Sequence, residues 1–183
     1  SEGAHRLWIL DDNMEGFYRQ NKNLKVKVTD ENPLAPVEEF VDRYANVALA
    51  GLNYEFFADR RSEQPPYRLN TRIYSCILID NFIPFRWRGR YNEDTDLSLR
   101  ALKAGLCTVL FNAYLVKKMP TMTMSGGNTD ELYKEDGRLQ MAESLRAQHP
   151  DVVKVTRKWG RAQHHVDYRP FARNKLVPRE ALS

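Results

Sequence analysis

Cysteine is scarce in this sequence, and long hydrophobic runs are missing from it. Two cysteines among 183 residues are too few for the disulfide framework of a small secreted protein. No apolar stretch approaches the roughly 20 residues that a membrane-spanning helix needs, and the N-terminus shows no signal peptide. We therefore expect a soluble, cytoplasmic protein without a membrane partner, in which Cys76 and Cys107 are small core residues.

Neither sign of charge dominates the chain as a whole. Lys and Arg number 28 against 24 Asp and Glu, and 42% of the residues are hydrophobic, which is enough for one packed core. Eight Lys or Arg and only one acid, Asp167, lie between residues 154 and 179. We expect residues 1–183 to form a single domain with a basic C-terminal tail from about residue 154. This tail is either solvated or a surface for the phosphates of a nucleotide or nucleic acid.

Apolar and polar segments alternate in a pattern that predicts strands and helices in turn. The predicted strands cover residues 7–10, 25–28, 47–57, 72–79, 106–110 and 152–155. The predicted helices cover residues 36–44, 92–105 and 130–148, while residues 14–23, 59–70, 80–91 and 119–128 look like loops or irregular helix. Such alternation predicts an α/β architecture, whose functional residues gather at the carboxyl ends of strands.

Two adjacent carboxylates, Asp11 and Asp12, follow the first predicted strand and precede Asn13. These carboxylates repel each other unless a cation or strong hydrogen-bond donors lie nearby. A divalent cation such as Mg²⁺ or Mn²⁺ takes oxygen ligands and commonly completes its shell with substrate phosphates. The pattern also fits a polar turn with hydrogen bonds between side chain and backbone.

A second acidic group, Glu93, Asp94 and Asp96, stands at the start of a predicted helix behind the expected N-cap Asn92. One or two acids in a first turn are stabilised by the helix dipole. Three exceed what capping needs, and this excess fits a site where one carboxylate takes a proton from an acceptor hydroxyl.

Two further groups pair cations or imidazoles with aromatic side chains. His164 and His165 follow a predicted strand within the basic tail and are either surface residues or metal ligands. Just before the acidic helix, Arg and aromatic residues alternate in a manner suited to phosphates and an extruded base: Arg86, Trp87, Arg88 and Arg90. The alternative is a loop anchored by its aromatic side chains, with the arginines solvated.

Taken together, these motifs resemble those of the GT-A glycosyltransferases. Asp11-Asp12-Asn13 looks like their DxD motif, and residues 92–100, followed by Gly105, look like their acceptor motif. A late histidine often completes the metal site in the same fold. The wording of residues 8–13, with residues 91–97 downstream, is similar to the TET-associated glycosyltransferases, a largely phage-encoded group related to the GREB-type domain of animals. The resemblance runs from about residue 6 to residue 171.

This resemblance implies a GT-A-like mixed central sheet flanked by helices, in a hexosyl- or N-acetylhexosaminyltransferase with a nucleotide-sugar donor, expected to be a UDP-sugar. The implied ligands of Mn²⁺ or Mg²⁺ are Asp11, Asp12, Asn13 and His165. The implied donor contacts are Asp11, Arg161 and His164. Asp94 would be the general base, Glu93 would orient the acceptor, and the acceptor itself would contact Arg86, Trp87, Arg88 and Arg90.

Members of this group are thought to glycosylate 5-hydroxymethylcytosine in DNA. The resemblance therefore implies that DNA as acceptor partner and, for a phage-encoded enzyme, the infected bacterial cell as location. Transfer would be an inverting single displacement, because the acceptor motif offers a base and no nucleophile. One departure is that only ten residues precede Asp11, so the N-terminal nucleotide-binding half of a GT-A domain is expected to be short or missing.

Other functions fit the same residues. The acceptor could be a protein, a glycan or a small molecule, and the chain could be a non-catalytic fragment that binds nucleic acid through its tail. A metal-dependent nuclease would also combine acids, metal and a basic surface. The sugar, the donor nucleotide and the oligomeric state are left open by the sequence.

Overall fold

The computed structural model describes residues 5–29, 31–58, 63–119 and 137–182, and its mixed α/β architecture confirms the predicted fold class. A seven-stranded sheet contains β1 (Arg6–Leu10), β2 (Met14–Asn21), β3 (Leu24–Val28), β4 (Val47–Tyr54), β5 (Tyr67–Leu69), β6 (Cys76–Asp80) and β7 (Cys107–Lys118). A separate two-stranded sheet contains β8 (Val153–Lys158) and β9 (Arg161–Val166). The helices are α1 (Ala35–Asp42), α2 (Glu93–Lys103) and α3 (Gly137–Gln148), with 3₁₀ turns at Glu55–Phe57, Arg169–Arg173 and Arg179–Leu182.

The large sheet is mixed, and three of its strands point the same way. Its strand order is β1-β6-β4-β7-β2-β3, with β5 paired to the first half of β7. β6 runs antiparallel to both β1 and β4, whereas β4 and β7 are parallel. The strands β1, β4 and β7 therefore end at the same edge of the sheet.

The hydrophobic core lies on both faces of β4, in which seven of eight residues are buried. α1 packs on one face, where Val37 and Val41 join a cluster with Leu52. α2 packs on the other face, where Leu97 joins a cluster with Leu49. With a helix on each face, the sheet buries apolar side chains on both sides, as expected for an α/β layer structure. The thiols of Cys76 and Cys107 are free and buried, as predicted.

Several predicted segments differ from the structure. β1 is an edge strand of alternating exposure, not a buried one. Residues 14–23, expected to be irregular, contain β2, which pairs with both β3 and β7. The expected loop at residues 59–70 contains β5, and β6 begins only at Cys76, so the strand predicted from Arg72 is shorter. Edge pairing to the long strand β7 supplies the backbone hydrogen bonds that these polar segments need.

Helix α2 ends as predicted but begins differently. Gly105, at φ 84°, lets the chain close a Schellman motif in which Gly105 N–H donates to Leu102 O and Leu106 N–H donates to Ala101 O. At the other end, Asn92 occupies the N-cap position in the left-handed region without a capping hydrogen bond from its side chain. Its side-chain amide instead donates to the Met141 carbonyl at 3.0 Å, which ties α2 to α3.

The basic C-terminal segment is a folded hairpin and not a solvated tail. β8 and β9 pair in register across a two-residue turn at Trp159 and Gly160, both at positive φ, the geometry that suits a tight hairpin. Leu145 of α3, Val153 of β8 and Leu99 of α2 share one buried cluster. The predicted loop at residues 119–128 lies, apart from Met119, outside the described residues, as does the first part of the predicted helix 130–148. None of the described helices is long and apolar enough to cross a membrane.

Candidate functional site

An open pocket of about 570 Å³ lies at the edge where β1, β4 and β7 end. Its lining includes Asp11, Tyr54, Lys118, Trp87, Glu93 and Asp94. Asp11 directly follows β1, while Tyr54 and Lys118 are the last residues of β4 and β7. Because α2 starts at the same edge, the two acidic motifs, far apart in sequence, share one cavity.

The Asp11 carboxylate accepts a hydrogen bond from Lys118, whose ammonium also donates to Ser75 Oγ at 3.1 Å. The backbone N–H of Asp11 donates to the Ser75 carbonyl at 3.0 Å, and the Tyr54 hydroxyl is hydrogen-bonded to Ser75 Oγ. Burial alone lowers the pKa of Lys118, but the hydrogen bond to Asp11 and the contacts with Tyr54 raise it above its ordinary value overall. This end of the pocket therefore holds a fixed positive charge against one carboxylate.

The oxygen atoms after β1 fit a divalent cation. Asp12 is exposed, and the side-chain oxygen of Asn13 is buried without a hydrogen-bond partner among the described residues. The pocket lining has three carboxylates, Asp11, Glu93 and Asp94, against the single ammonium of Lys118. An excess of negative charge of this kind favours a cation before any phosphate group can enter.

Helix α2 presents its first two acids differently to the pocket. Glu93 is exposed, whereas Asp94 is half-buried and accepts hydrogen bonds from the backbone N–H and the hydroxyl of Thr95, at 2.6 and 3.2 Å. Burial raises the pKa of Asp94 above its ordinary value, although the Thr95 hydrogen bonds and the charge of Arg72 act in the opposite direction. A carboxylate with a raised pKa is a stronger proton acceptor, which suits a general base.

The third acid of the turn, Asp96, has a structural role. Its side chain is fully buried, and it accepts hydrogen bonds from Arg88 at 2.9 and 3.0 Å and from His149 at 2.8 Å. Arg100 forms a further ion pair with it at 2.9 Å. Burial alone raises the pKa of Asp96, but these partners lower it below its ordinary value overall. Burial lowers the pKa of His149, so that imidazole is neutral and donates through Nε2.

The loop before α2 places its aromatic and basic residues in different settings. Trp87, at 41% exposure, lines the pocket, while Phe85 packs against the core. The Arg88 guanidinium is bound to Asp96, and Arg86 donates to the carbonyls of Ile83 and Phe85. Arg90 lies over the ring of the neighbouring Tyr91, 5.8 Å from its centroid.

The two histidines point to opposite sides of β9. His164 is half-buried, and burial together with the charge of Arg72 lowers its pKa, whereas His165 is exposed. Arg161 is exposed beside the hairpin turn. None of the three is among the described residues that line the pocket. The described part of the chain also contains no group of three or more His, Cys, Asp or Glu placed to share a metal ion, so His165 does not join Asp11 and Asp12.

Sequence reasoning found both acidic motifs but missed Tyr54, Ser75 and Lys118. Lys118 was missed because the strand predicted at residues 106–110 continues to residue 118. The apolar pair Leu115 and Val116 was the available signal for this extension. Arg72 was noted only as part of a basic surface, yet its guanidinium lies 4.7 Å from the Tyr74 ring centroid and acts electrostatically on Asp94.

Comparison with known proteins gives one match. A family model described as TET-Associated Glycosyltransferase matches residues 1–127. This range contains both acidic motifs and every residue named above as lining the pocket, but not the hairpin of β8 and β9. No curated protein and no solved structure matches the chain.

Proposed function

The chain belongs to the TET-associated glycosyltransferase family, and from this premise we propose that its pocket transfers a sugar from a nucleotide sugar to 5-hydroxymethylcytosine in DNA. The observation that carries the proposal is that Asp11 and Asp94 line the same cavity. One end of that cavity suits a donor diphosphate and the other suits an acceptor hydroxyl.

Asp94 acts as the general base in this proposal. Its carboxylate takes the proton of the acceptor hydroxyl, and the freed oxygen attacks the anomeric carbon of the donor sugar. The bond from that carbon to the diphosphate oxygen breaks, and its electron pair leaves with the nucleoside diphosphate. Because the attacking oxygen comes from the acceptor itself, a single displacement with inversion follows.

Asp11, Asp12 and Asn13 would hold Mn²⁺ or Mg²⁺, which supplies Lewis-acid stabilisation of the departing diphosphate. Magnesium sites commonly use one or two carboxylates plus substrate phosphates rather than an all-protein cage. A site of this kind needs no histidine ligand, and we therefore assign the metal to the residues after β1 without His165. Lys118 positions Asp11 and adds positive charge beside the diphosphate.

Trp87 is the acceptor contact that the geometry supports best, because its indole lines the pocket close to Asp94 in the chain. An aromatic side chain there offers a stacking surface for a base taken out of the duplex, a mode of binding used by enzymes that modify bases. Arg86 and Arg88 are engaged within the protein, so the phosphates of DNA would be held by other cations.

The proposal is tested by incubating the protein with Mn²⁺, a panel of nucleotide sugars and duplex DNA that contains 5-hydroxymethylcytosine. The DNA is then digested to nucleosides, which are weighed by mass spectrometry. A mass gain of one hexose or N-acetylhexosamine is expected, with a loss of about 10²- to 10⁴-fold in rate for Asp94→Asn. Glu39→Gln, an exposed acid on α1, is the matched control and should retain the wild-type rate.

Other results of this assay would replace the proposal. A mass gain on a protein or glycan acceptor but not on DNA would keep the glycosyltransferase and change its substrate. Salt-sensitive DNA binding without transfer from any donor would indicate a binding module, and cleaved DNA strands would indicate a nuclease.

A further inference from the structure

Three aromatic rings form an exposed shelf beside the pocket, which we call the aromatic shelf: Tyr54, Phe56 and Phe57. Phe56 is stacked on Tyr54 with 5.2 Å between the ring centroids, and Phe57 is 4.3 Å from Phe56. Phe56 and Phe57 are 60% and 52% exposed. Single exposed hydrophobic residues are common, but a contiguous exposed patch next to a cavity marks a binding surface.

The shelf adjoins the cationic end of the pocket. Tyr54 lines the cavity, and the Lys118 ammonium lies 5.9 Å from the centroid of its ring. The same ammonium is hydrogen-bonded to Asp11 and Ser75. A flat apolar surface and a fixed cation thus stand side by side, which complements a ligand that joins a planar ring to an anionic group.

We propose that the aromatic shelf stacks the nucleobase of the donor, with the diphosphate of the same molecule beside Lys118. This inference rests on the proposed glycosyltransferase function and specifies its donor subsite. The donor base is favoured over the acceptor base because Tyr54 belongs to the hydrogen-bonded set around Asp11, whereas Trp87 precedes the helix that carries Asp94. The two aromatic surfaces then serve the two substrates.

Stacking on phenyl rings makes a specific demand on selectivity. Every nucleobase has a π-face, so a shelf without hydrogen-bonding groups of its own binds pyrimidines and purines alike. The shelf therefore contributes affinity for the base but little discrimination between UDP and ADP.

The test measures the binding of UDP, ADP and inorganic pyrophosphate by calorimetry in the presence of Mn²⁺. The double variant Phe56→Ala with Phe57→Ala should weaken both nucleotides by about 5- to 150-fold, the range for loss of one base–aromatic stack, and leave pyrophosphate binding unchanged. Lys118→Met should weaken all three ligands. Phe82→Ala removes another exposed ring, at 71% exposure and packed on His5, and should change none of them.

Unchanged pyrophosphate binding shows that the pocket of the double variant is intact, so loss of fold does not imitate the expected result. If wild-type protein binds UDP and ADP no more tightly than pyrophosphate, or if the double variant binds them normally, the shelf is not a base site. The transfer assay separates the two proposals. Sugar transfer with an unchanged KM for the donor in the double variant overturns the shelf and leaves the proposed function standing. Absence of transfer and of nucleotide binding in the wild-type protein overturns both.

Discussion

At the scale of single residues, Asp94 shows a conflict between stability and chemistry. Burial raises its pKa, so the folded state holds the proton more tightly than the unfolded chain does. Stability therefore falls as the pH rises from the ordinary value of 3.8 through the higher folded value, and the ionised carboxylate destabilises the protein at neutral pH.

This conflict predicts that Asp94→Asn is more stable than the wild-type protein at neutral pH while it loses transfer activity. The amide oxygen retains an acceptor for the Thr95 N–H without a buried charge. Thermal unfolding across a pH series should show a higher Tm for the variant at pH 7 and a difference that disappears below the ordinary carboxyl pKa. A variant that melts lower at pH 7 would show that the carboxylate is stabilised in place.

Asp96 predicts the reverse. Its pKa is lowered in the fold, so its contribution to stability is present above the ordinary carboxyl value of 3.8 and is lost as the pH falls through the lower folded value. Asp96→Asn leaves Arg88, Arg100 and His149 without their common charge. The expected cost is about 3–5 kcal/mol, as for a broken buried ion pair.

Denaturant unfolding at neutral pH measures this loss, with Glu93→Gln as the control for removing an exposed acid from the same turn. Arg88→Lys should be milder than Asp96→Asn, because a Lys keeps the charge but loses the forked donor geometry. Equal stability of Asp96→Asn and Glu93→Gln would refute the structural role of Asp96.

At the scale of elements, two glycines are required for different reasons. A Cβ on Gly51 would lie 2.3 Å from the Cys76 carbonyl oxygen and 2.5 Å from an Ile73 methyl group, whereas a Cβ on Gly105 meets nothing within 4 Å. Gly51→Ala should therefore force β4 and β6 apart at a cost of about 1–3 kcal/mol. Gly105→Ala should cost about 1–2 kcal/mol because of its left-handed backbone.

Chemical denaturation distinguishes these two causes. Gly105→Asn should recover much of the loss, since Asn tolerates the left-handed conformation at a helix end, whereas Gly51→Asn should be worse than Gly51→Ala. Recovery at both positions, or at neither, would contradict the assignment of space to Gly51 and of conformation to Gly105.

The elements also show where sequence reasoning reaches its limit. The helix at residues 93–103 was predictable because its acids, its apolar residues and Gly105 all favour the same local structure. β2 was not, because its polar residues are made into a strand by pairing with β7, a contact between distant parts of the chain. Lys118 depended on that same long strand, so half of the pocket could be found only from the fold.

At the scale of the whole molecule, positive charge and the pocket are separated. Carboxylates predominate in the pocket lining, whereas the hairpin of β8 and β9 exposes four cations, at positions 154, 157, 158 and 161. A nucleic-acid acceptor needs both, because phosphate contacts hold the duplex while the pocket acts on one base.

This separation predicts that the hairpin sets affinity for DNA without affecting the chemical step. Lys154→Gln with Lys158→Gln removes two cations from one side of β8 and should reduce the slope of log affinity against log salt by about 1.8. Fluorescence anisotropy with labelled duplex measures the slope. Lys22→Gln with Lys27→Gln, also exposed cations but at the β2–β3 hairpin, is the matched control. If both pairs reduce the slope equally, the attraction comes from net charge and not from a defined surface. A slope lost only with the β8 pair, together with a higher KM for DNA and an unchanged kcat, would place the duplex across the hairpin.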